Sequence, residues 1–300
     1  MIDLHCHSTA SDGRLSPSEL VTRALERGLS ALALTDHDTV GGLDEFHRAG
    51  KEKGLETISG VEVSATFPKG TMHILGLLID PKHAGFREFL GKLAEGRKVR
   101  NPQIIDKLRE LGMDITMAEV EAEAGLKDDG PGGGAVDKSV GRPHIASVLI
   151  RKGYAKDKQE VFDKLLAKGA PAYFSRFTAS PEESIAQIHA AGGLAVLAHP
   201  PYLLKEENEV EMDSIVGGLK TMGLDGIEVL YSTHSPHQTH FIAGLAQKYD
   251  LAPSGGSDFH GEPAVKAGDV AIDLGVGKGN LKISDEILAN LKRLQAVRNR

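Results

Sequence analysis

The chain reads as an α/β protein: a barrel of parallel strands, irregular or with fewer than eight of them, interrupted by a helical insertion. Short apolar runs recur along the sequence, and each stops at a polar cluster. Alternation of such runs with helical patterns is the rhythm of βα units, whose functional groups sit at the carboxyl ends of the strands. The middle of the chain abandons this rhythm for helical spacing alone. A length of 300 residues suits one large domain with an insertion.

The first run is Asp3-Leu4-His5-Cys6-His7, a short strand in which alternation puts His5 and His7 on one face. Two imidazoles so placed can grip one cation, and Asp12, just behind them, can hold a second. A helix then starts at Ser16 as N-cap, with Pro17 in first position and Glu19 closing a capping box; Gly28 stops it. Ala31 to Leu34 is almost wholly apolar, as in a strand buried on both faces, and ends in Thr35-Asp36-His37-Asp38. A polar helix from about Val40 to Lys53 precedes strands around Thr57 to Val63, containing Glu62, and His73 to Ile79. Later strands are Leu194 to Ala198 before His199, Gly226 to Leu230, and Leu251 to Gly256 before Ser257-Asp258-Phe259-His260.

Between them, spacing is helical from about Phe86 to Ala124, from Pro143 to Lys152 and from Lys156 to Leu166, around a glycine-rich loop at 130–134. Residues 97–175 are therefore expected to form a helical insertion, a cap over the mouth of a barrel built from residues 1–96 and 176–300. Ser284 to Leu294 reads as an amphipathic closing helix.

Composition excludes several classes. With 40% hydrophobic and 26% charged residues the chain can build an ordinary core, and no run is long enough for a bilayer. Its net charge of -7 argues against coating nucleic acid through bulk charge, but not against a nucleotide substrate held by metal ions. A single cysteine, Cys6, rules out an internal disulfide, and nothing resembles a signal peptide; a cytoplasmic protein is expected, with no obligate protein partner evident.

Six histidines stand at predicted strand ends, His5, His7, His37, His73, His199 and His260, with Asp12, Glu62 and Asp258 in equivalent places. Singly, each has an ordinary structural role: Thr35 to Asp38 as a capping turn, His199 before Pro200 as a loop residue. Recurrence at the same place, strand after strand, overrides that view. Imidazoles beside carboxylates suit manganese, zinc or iron(II), and nine ligands exceed one ion's needs, so two or three ions are expected with Glu62 bridging. His47, His83, His189, His234, His237 and His240 lack such placement and read as surface or support residues.

Taken together, Asp3 to Ser8 with Asp12-Gly13, Ala33 to Asp38, Gly60-Val61-Glu62, His73, Ala198-His199-Pro200 and Gly256 to His260 resemble the polymerase and histidinol phosphatase (PHP) family, within the wider amidohydrolase relatives. The resemblance covers nearly all of the chain outside the insertion. It implies a distorted (βα)7 barrel with a trinuclear site: His5, His7, Glu62 and Asp258 on the first metal, Glu62, His73 and His199 on the second, Asp12, His37 and His260 on the third. Many members place a histidine where this chain has Asp12.

Gly141-Arg142-Pro143-His144-Ile145-Ala146 resembles the branch acting on nucleotides, the 3',5'-nucleoside bisphosphate phosphatases and 5'-to-3' exoribonucleases. Arg142 offers a planar fork to a phosphate, and His144 stands at a helix start whose amides favour an anion. Arg176 and Ser64 are further phosphate candidates. The expected activity is metal-assisted hydrolysis, manganese first among the metals, of the 3'-phosphate of a nucleoside bisphosphate, with Glu62, His199 and Asp258 at the reacting centre and Asp38 a candidate general acid. Alternatives are exonuclease action on short 5'-phosphorylated RNA, histidinol phosphatase activity, and a non-enzymatic metal or nucleotide sensor.

Overall fold

A computed structural model of the chain describes residues 1–68, 70–126, 138–204, 206–261 and 270–299; the glycine-rich loop at 130–134 lies outside them. The first strand, β1, is only Ile2–Asp3. Helix α1, Pro17–Glu26, carries the expected capping box between Ser16 and Glu19, and Gly28 just beyond it has φ 69°. Strand β2 is Ala31–Leu34 and α2 is Leu43–Lys53. Strands β3, Glu56–Phe67, and β4, Gly70–Leu77, form a hairpin. Four helices follow: α3, Ala84–Glu110, α4, Met117–Glu123, α5, Arg142–Arg151, and α6, Lys158–Val161, which runs into a π-helical turn at Phe162–Leu166. The chain then makes α7 at Pro181–Ala190, β5 at Leu194–Leu197, α8 at Glu209–Thr221, β6 at Gly226–Tyr231, α9 at Pro236–Lys248, β7 at Ala252–Gly256 and α10 at Asp285–Arg298.

The seven strands lie in chain order, and the sheet nearly closes on itself. At the seam Leu4 N–H donates to Gly255 at 3.2 Å, Asp258 N–H donates to His5 at 2.8 Å, and Cys6 bridges Phe259. One expectation fails: the strands are not all parallel, because β4 runs antiparallel to both β3 and β5. The cause is connection length. A parallel return needs a crossover of about a dozen residues, whereas only two residues separate Phe67 from Gly70.

Apolar packing divides around this barrel. Ile2, Leu4, Ala33, Ile58, Leu75 and Val196 fill its interior, where Leu288 and Leu291 of α10 join the same cluster. The first half of α3 buries Phe86, Phe89, Leu90 and Leu93 with the barrel's outer layer, while Ile104, Ile105 and Leu108 enter a separate cluster with Ile145, Val148 and Leu149 of α5. One helix of 27 residues thus links the barrel to the helices that follow it. No helix among the described residues is long and apolar enough to cross a membrane.

Phe46 of α2 is fully buried among Leu20, Val21, Leu34 and Leu43. Phe46→Ala is expected to cost about 3–5 kcal/mol through forfeited transfer energy and a residual cavity. A lowered urea midpoint at unchanged m-value checks this.

Candidate metal centre

Several backbone features aim side chains at one mouth of the barrel. Beyond β1, alternate residues point inward, so His5 and His7 share a face; both are fully buried. Behind them Gly256 comes so close that a Cβ there would sit 2.2 Å from the Cβ of His5. Asp38, His199 and Asp258, just past β2, β5 and β7, have φ of 54°, 28° and 54°. Left-handed backbone at non-glycine residues persists where surrounding structure over-determines it, which is common at functional sites. Glu62 and His73 arrive by another route. Register pairs His73 with Ser64, two residues beyond Glu62 and therefore on the same face. Since β4 is antiparallel, its beginning rather than its end lies at the mouth.

Glu62 is the meeting point. One carboxylate oxygen, Oε1, is 2.9 Å from His73 Nδ1, 3.0 Å from His199 Nε2 and 3.6 Å from His5 Nε2. The other, Oε2, is 2.8 Å from His37 Nδ1 and 3.3 Å from His7 Nε2. Asp258 Oδ1 lies 3.0 Å from His7 Nε2 and 3.3 Å from His5 Nε2, while Tyr231 donates to its other oxygen at 2.7 Å. Asp12 is 3.4 Å from His260 Nε2, 3.8 Å from His37 Nε2 and 3.9 Å from His7 Nδ1.

All nine predicted ligand candidates are therefore brought together. Their donor atoms form overlapping groups of cation-binding size: His7, Asp12, His37 and His260; His5, His199 and Asp258; His5, His7 and Glu62; His37, Glu62 and His73. Asp12 Oδ1, His37 Nδ1, Glu62 Oε2 and Asp258 Oδ1 are buried without a hydrogen-bond partner, although His37 Nδ1 and Glu62 Oε2 stand only 2.8 Å apart. Buried polar atoms left unsatisfied at such close range are what a shared cation would resolve. Protonation behaviour agrees. Burial, then His260 and His37, push His7 down to about 3, so it stays a neutral ligand. Burial opposes charge on His260 too, but Asp12 and Asp258 push it up to about 10. The carboxylates that would keep a proton there would equally keep a metal ion. The residues fit divalent metals.

Other predicted residues separate. Arg142 and Arg176 line one cavity of about 400 Å³, together with Arg100, Lys168 and Tyr173. Ser64 sits beside it, its N–H donating to Asp38 at 2.7 Å and its Oγ 3.4 Å from Arg97. His144 does not join them: its Nδ1 accepts from Gly141 N–H at 3.1 Å, and it lines a different cavity with Ser11 and Asp12. Asp38, the candidate general acid, is buried and ion-paired: burial resists its charge, but Arg97 and Arg176, the latter at 2.9 Å, push it down to about 2.

Sequence reasoning missed three contributors. Glu228, fully buried in β6, accepts from His5 Nδ1 at 3.1 Å and from His199 N–H at 2.8 Å, orienting two candidate ligands. A lone carboxylate inside an apolar strand was its signal, the same one that marked Glu62. Asp36 accepts from the Ser8 hydroxyl at 2.6 Å and the Ser11 hydroxyl at 2.5 Å, bracing the loop that carries Asp12. Arg100, 3% exposed, bonds only Asn101 through its guanidinium among the described residues, and burial, then Arg97, Arg142 and Arg176, push it down to about 8. A guanidinium keeps its proton in practice, so Arg100 is a buried positive charge with no carboxylate partner among the described residues.

A barrel mouth that gathers imidazoles and carboxylates for several cations, flanked by Arg100 and Arg142, which have no carboxylate partner among the described residues, defines a metal-dependent hydrolase of anionic esters. Comparison with known proteins agrees. The PHP domain family matches residues 3–128. A 5'-3' exoribonuclease from Haemophilus influenzae is 37% identical over 86% of this chain and 89% of its own length. A 3',5'-nucleoside bisphosphate phosphatase from Chromobacterium violaceum is also 37% identical, over 86% of this chain and 87% of its own. The solved structure of an amidohydrolase from Chromobacterium violaceum, with bound sulfate and no metal, superposes with TM-score 0.80 at 33% identity, covering 99% of this chain and 96% of that one. The chain belongs to the PHP family and is a phosphoric ester hydrolase.

Because Glu228 holds His5 and His199 in place, Glu228→Gln is expected to leave the fold intact and weaken divalent-metal binding by about 10- to 100-fold. Metal titration by calorimetry, with circular dichroism as the folding control, checks it.

Proposed function

We propose that this enzyme removes the 3'-phosphate from 3',5'-nucleoside bisphosphates, releasing a 5'-mononucleotide and phosphate. The observation that carries the proposal is the cavity lined by Arg100, Arg142, Lys168 and Arg176, which has no carboxylate among its described lining residues. A substrate with one phosphate at the metal centre leaves Arg100 and Arg142 unanswered; a second phosphate on the same molecule answers them. Relatives named for bisphosphate and RNA hydrolysis support the same choice of substrate.

In this proposal His5, His7, Glu62 and Asp258 hold one ion, Glu62, His73 and His199 a second, and Asp12, His37 and His260 a third, with manganese the working metal and zinc or iron(II) as alternatives. Such ions, when bound, lower the pKa of water towards neutrality and offset the charge that builds on phosphorus. Glu62, His199 and Asp258 face the reacting phosphate. Arg142, stacked 5.6 Å from the Phe162 ring and bonded to Leu166 carbonyl at 3.0 Å, presents a fixed fork to the 5'-phosphate, alongside Arg176. Ser64 and Arg97 line the approach between the two phosphates. His144, held through Nδ1 by Gly141 N–H, lines the cavity beside Asp12, and its phosphate role belongs to this proposal too. Water adds to phosphorus as the P–O3' bond breaks, and the 3'-oxygen departs as the sugar hydroxyl with a proton from that water. Binding at the remote phosphate orients the ester and raises rate. Residues 97–175 form the cap that supplies most of the cations, and the enzyme works in the cytoplasm.

Metal-stripped enzyme given manganese is expected to release phosphate from 3',5'-adenosine bisphosphate, and Arg142→Ala to lower kcat/KM by about 10- to 100-fold, mainly through KM. No phosphate release from any nucleotide, or faster turnover of histidinol phosphate, overturns the proposal.

A further inference from the structure

Asp38 is not among the candidate metal ligands and does not line the cationic cavity, yet it anchors one of the cavity's arginines. Its side chain is fully buried. Oδ1 accepts from Ser64 N–H at 2.7 Å. Oδ2 takes two guanidiniums at once, accepting from Arg97 Nε–H at 3.1 Å and from Arg176 at 2.9 Å. The three arginines that line the cavity are therefore unequal. Arg176 is held and partly neutralised from behind. The guanidiniums of Arg100 and Arg142 hydrogen-bond only neutral groups among the described residues, the Asn101 side-chain carbonyl and the Leu166 backbone carbonyl. A phosphate entering the cavity thus finds one of its three arginines already engaged by a carboxylate. The product of 3'-phosphate removal keeps its 5'-phosphate, so whatever holds the substrate here also holds the product.

We infer that Asp38 is a positioning residue that acts as an internal counter-anion: it aims Arg176 at the cavity, offsets part of its charge, and so sets how tightly the remote phosphate is held and how readily the 5'-mononucleotide leaves. This rests on the bisphosphate reading above for the identity of the bound group. Two effects carry it. Each guanidinium hydrogen that Asp38 occupies is one the phosphate cannot take. A carboxylate behind the arginine also repels an incoming phosphate, and in a buried setting little solvent screens that repulsion. The backbone of Asp38 is fixed by a left-handed turn of φ 54° and by its own N–H bond to the Glu62 carbonyl at 3.0 Å, so the carboxylate stays in place as phosphate comes and goes. Without it, three uncompensated arginines would grip substrate and product alike, and release of product would limit turnover.

Asp38→Asn keeps the shape, the acceptor for Ser64 N–H and a left-handed backbone that asparagine tolerates, and removes only the charge. Calorimetric binding of 5'-AMP and of inorganic phosphate to full-length protein in chelator reports the cavity without the metals. The variant is expected to bind both about tenfold more tightly than wild type, the worth of one freed charge-assisted hydrogen bond. Phosphate is also expected to raise its Tm by more degrees than that of wild type, because the anion replaces the missing charge. The gain disappears when Asp38→Asn is combined with Arg176→Gln, since the freed guanidinium is its source. With manganese and 3',5'-adenosine bisphosphate, Asp38→Asn shows a lower KM and inhibition by less 5'-AMP. A carboxylate that served the fold alone would give the opposite sign, weaker binding. Should Asp38→Asn not accumulate folded, Asp38→Gly, which suits φ 54°, carries the same expectation. Binding that is unchanged or weaker, or a gain that survives removal of Arg176, overturns the inference. Those outcomes leave the bisphosphate activity standing, whereas absence of wild-type phosphate release from the bisphosphate removes the reading beneath it.

Discussion

The arrangement depends on one buried carboxylate. Glu62 is fully enclosed, and five imidazoles from four other parts of the chain come within 3.6 Å of its two oxygens. An isolated carboxylate in such a place would be prohibitively costly and would protonate. Burial does push Glu62 in that direction, but His73, His37 and His5 outweigh it and hold the group well below the usual carboxylate range. The constraint runs the other way too. Each imidazole reaches Glu62 only because its own backbone segment is fixed, by the seam between β1 and β7 for His5 and His7, by left-handed turns for His199, and by hairpin register for His73. The barrel's near-closure and the acid's position are therefore one problem solved once.

A second carboxylate, Asp38, couples this centre to the helices above it. It accepts from Ser64 N–H in β3 and pairs with Arg97 on α3 and Arg176 before α7. Arg97 and Arg176 are thereby balanced by one buried charge, while Arg100 and Arg142 have no carboxylate partner among the described residues. The surplus positive charge is directed into the cavity instead of being neutralised within the fold. Its distance from the metal centre is set by Asp38, whose backbone N–H bonds the Glu62 carbonyl at 3.0 Å.

The centre was legible in the sequence because strand-end polar clusters recur with few interpretations, and all nine ligand candidates do converge. Direction was harder to see. An apolar run such as Ile74 to Leu77 looks the same parallel or antiparallel, and only the two-residue link before Gly70 carried the information. Arg97 and Arg100 were hidden for a different reason: on a 27-residue helix with many charges, nothing local distinguishes a cation facing a cavity from one facing water. His144 stands at a helix start, where a side chain can face an anion or cap its own backbone. It caps Gly141, and only tertiary placement decides such a choice.

Charge sets the order in which this site must assemble. Asp12, Glu62 and Asp258 give the bare cluster three carboxylates, and burial is outweighed by neighbouring imidazoles in holding each well below the ordinary range. Phosphate approaching such a cluster meets like charge in a poorly screened environment. The arginines do not reverse this, because they face the flanking cavity and Asp38. Divalent ions held by the nine side chains invert the local field, and the same three carboxylates that would repel a phosphate then become the reason the ions stay. An aspartate at position 12 in place of a histidine strengthens both halves of that dependence, since it adds one negative charge at the group shared by His7, His37 and His260.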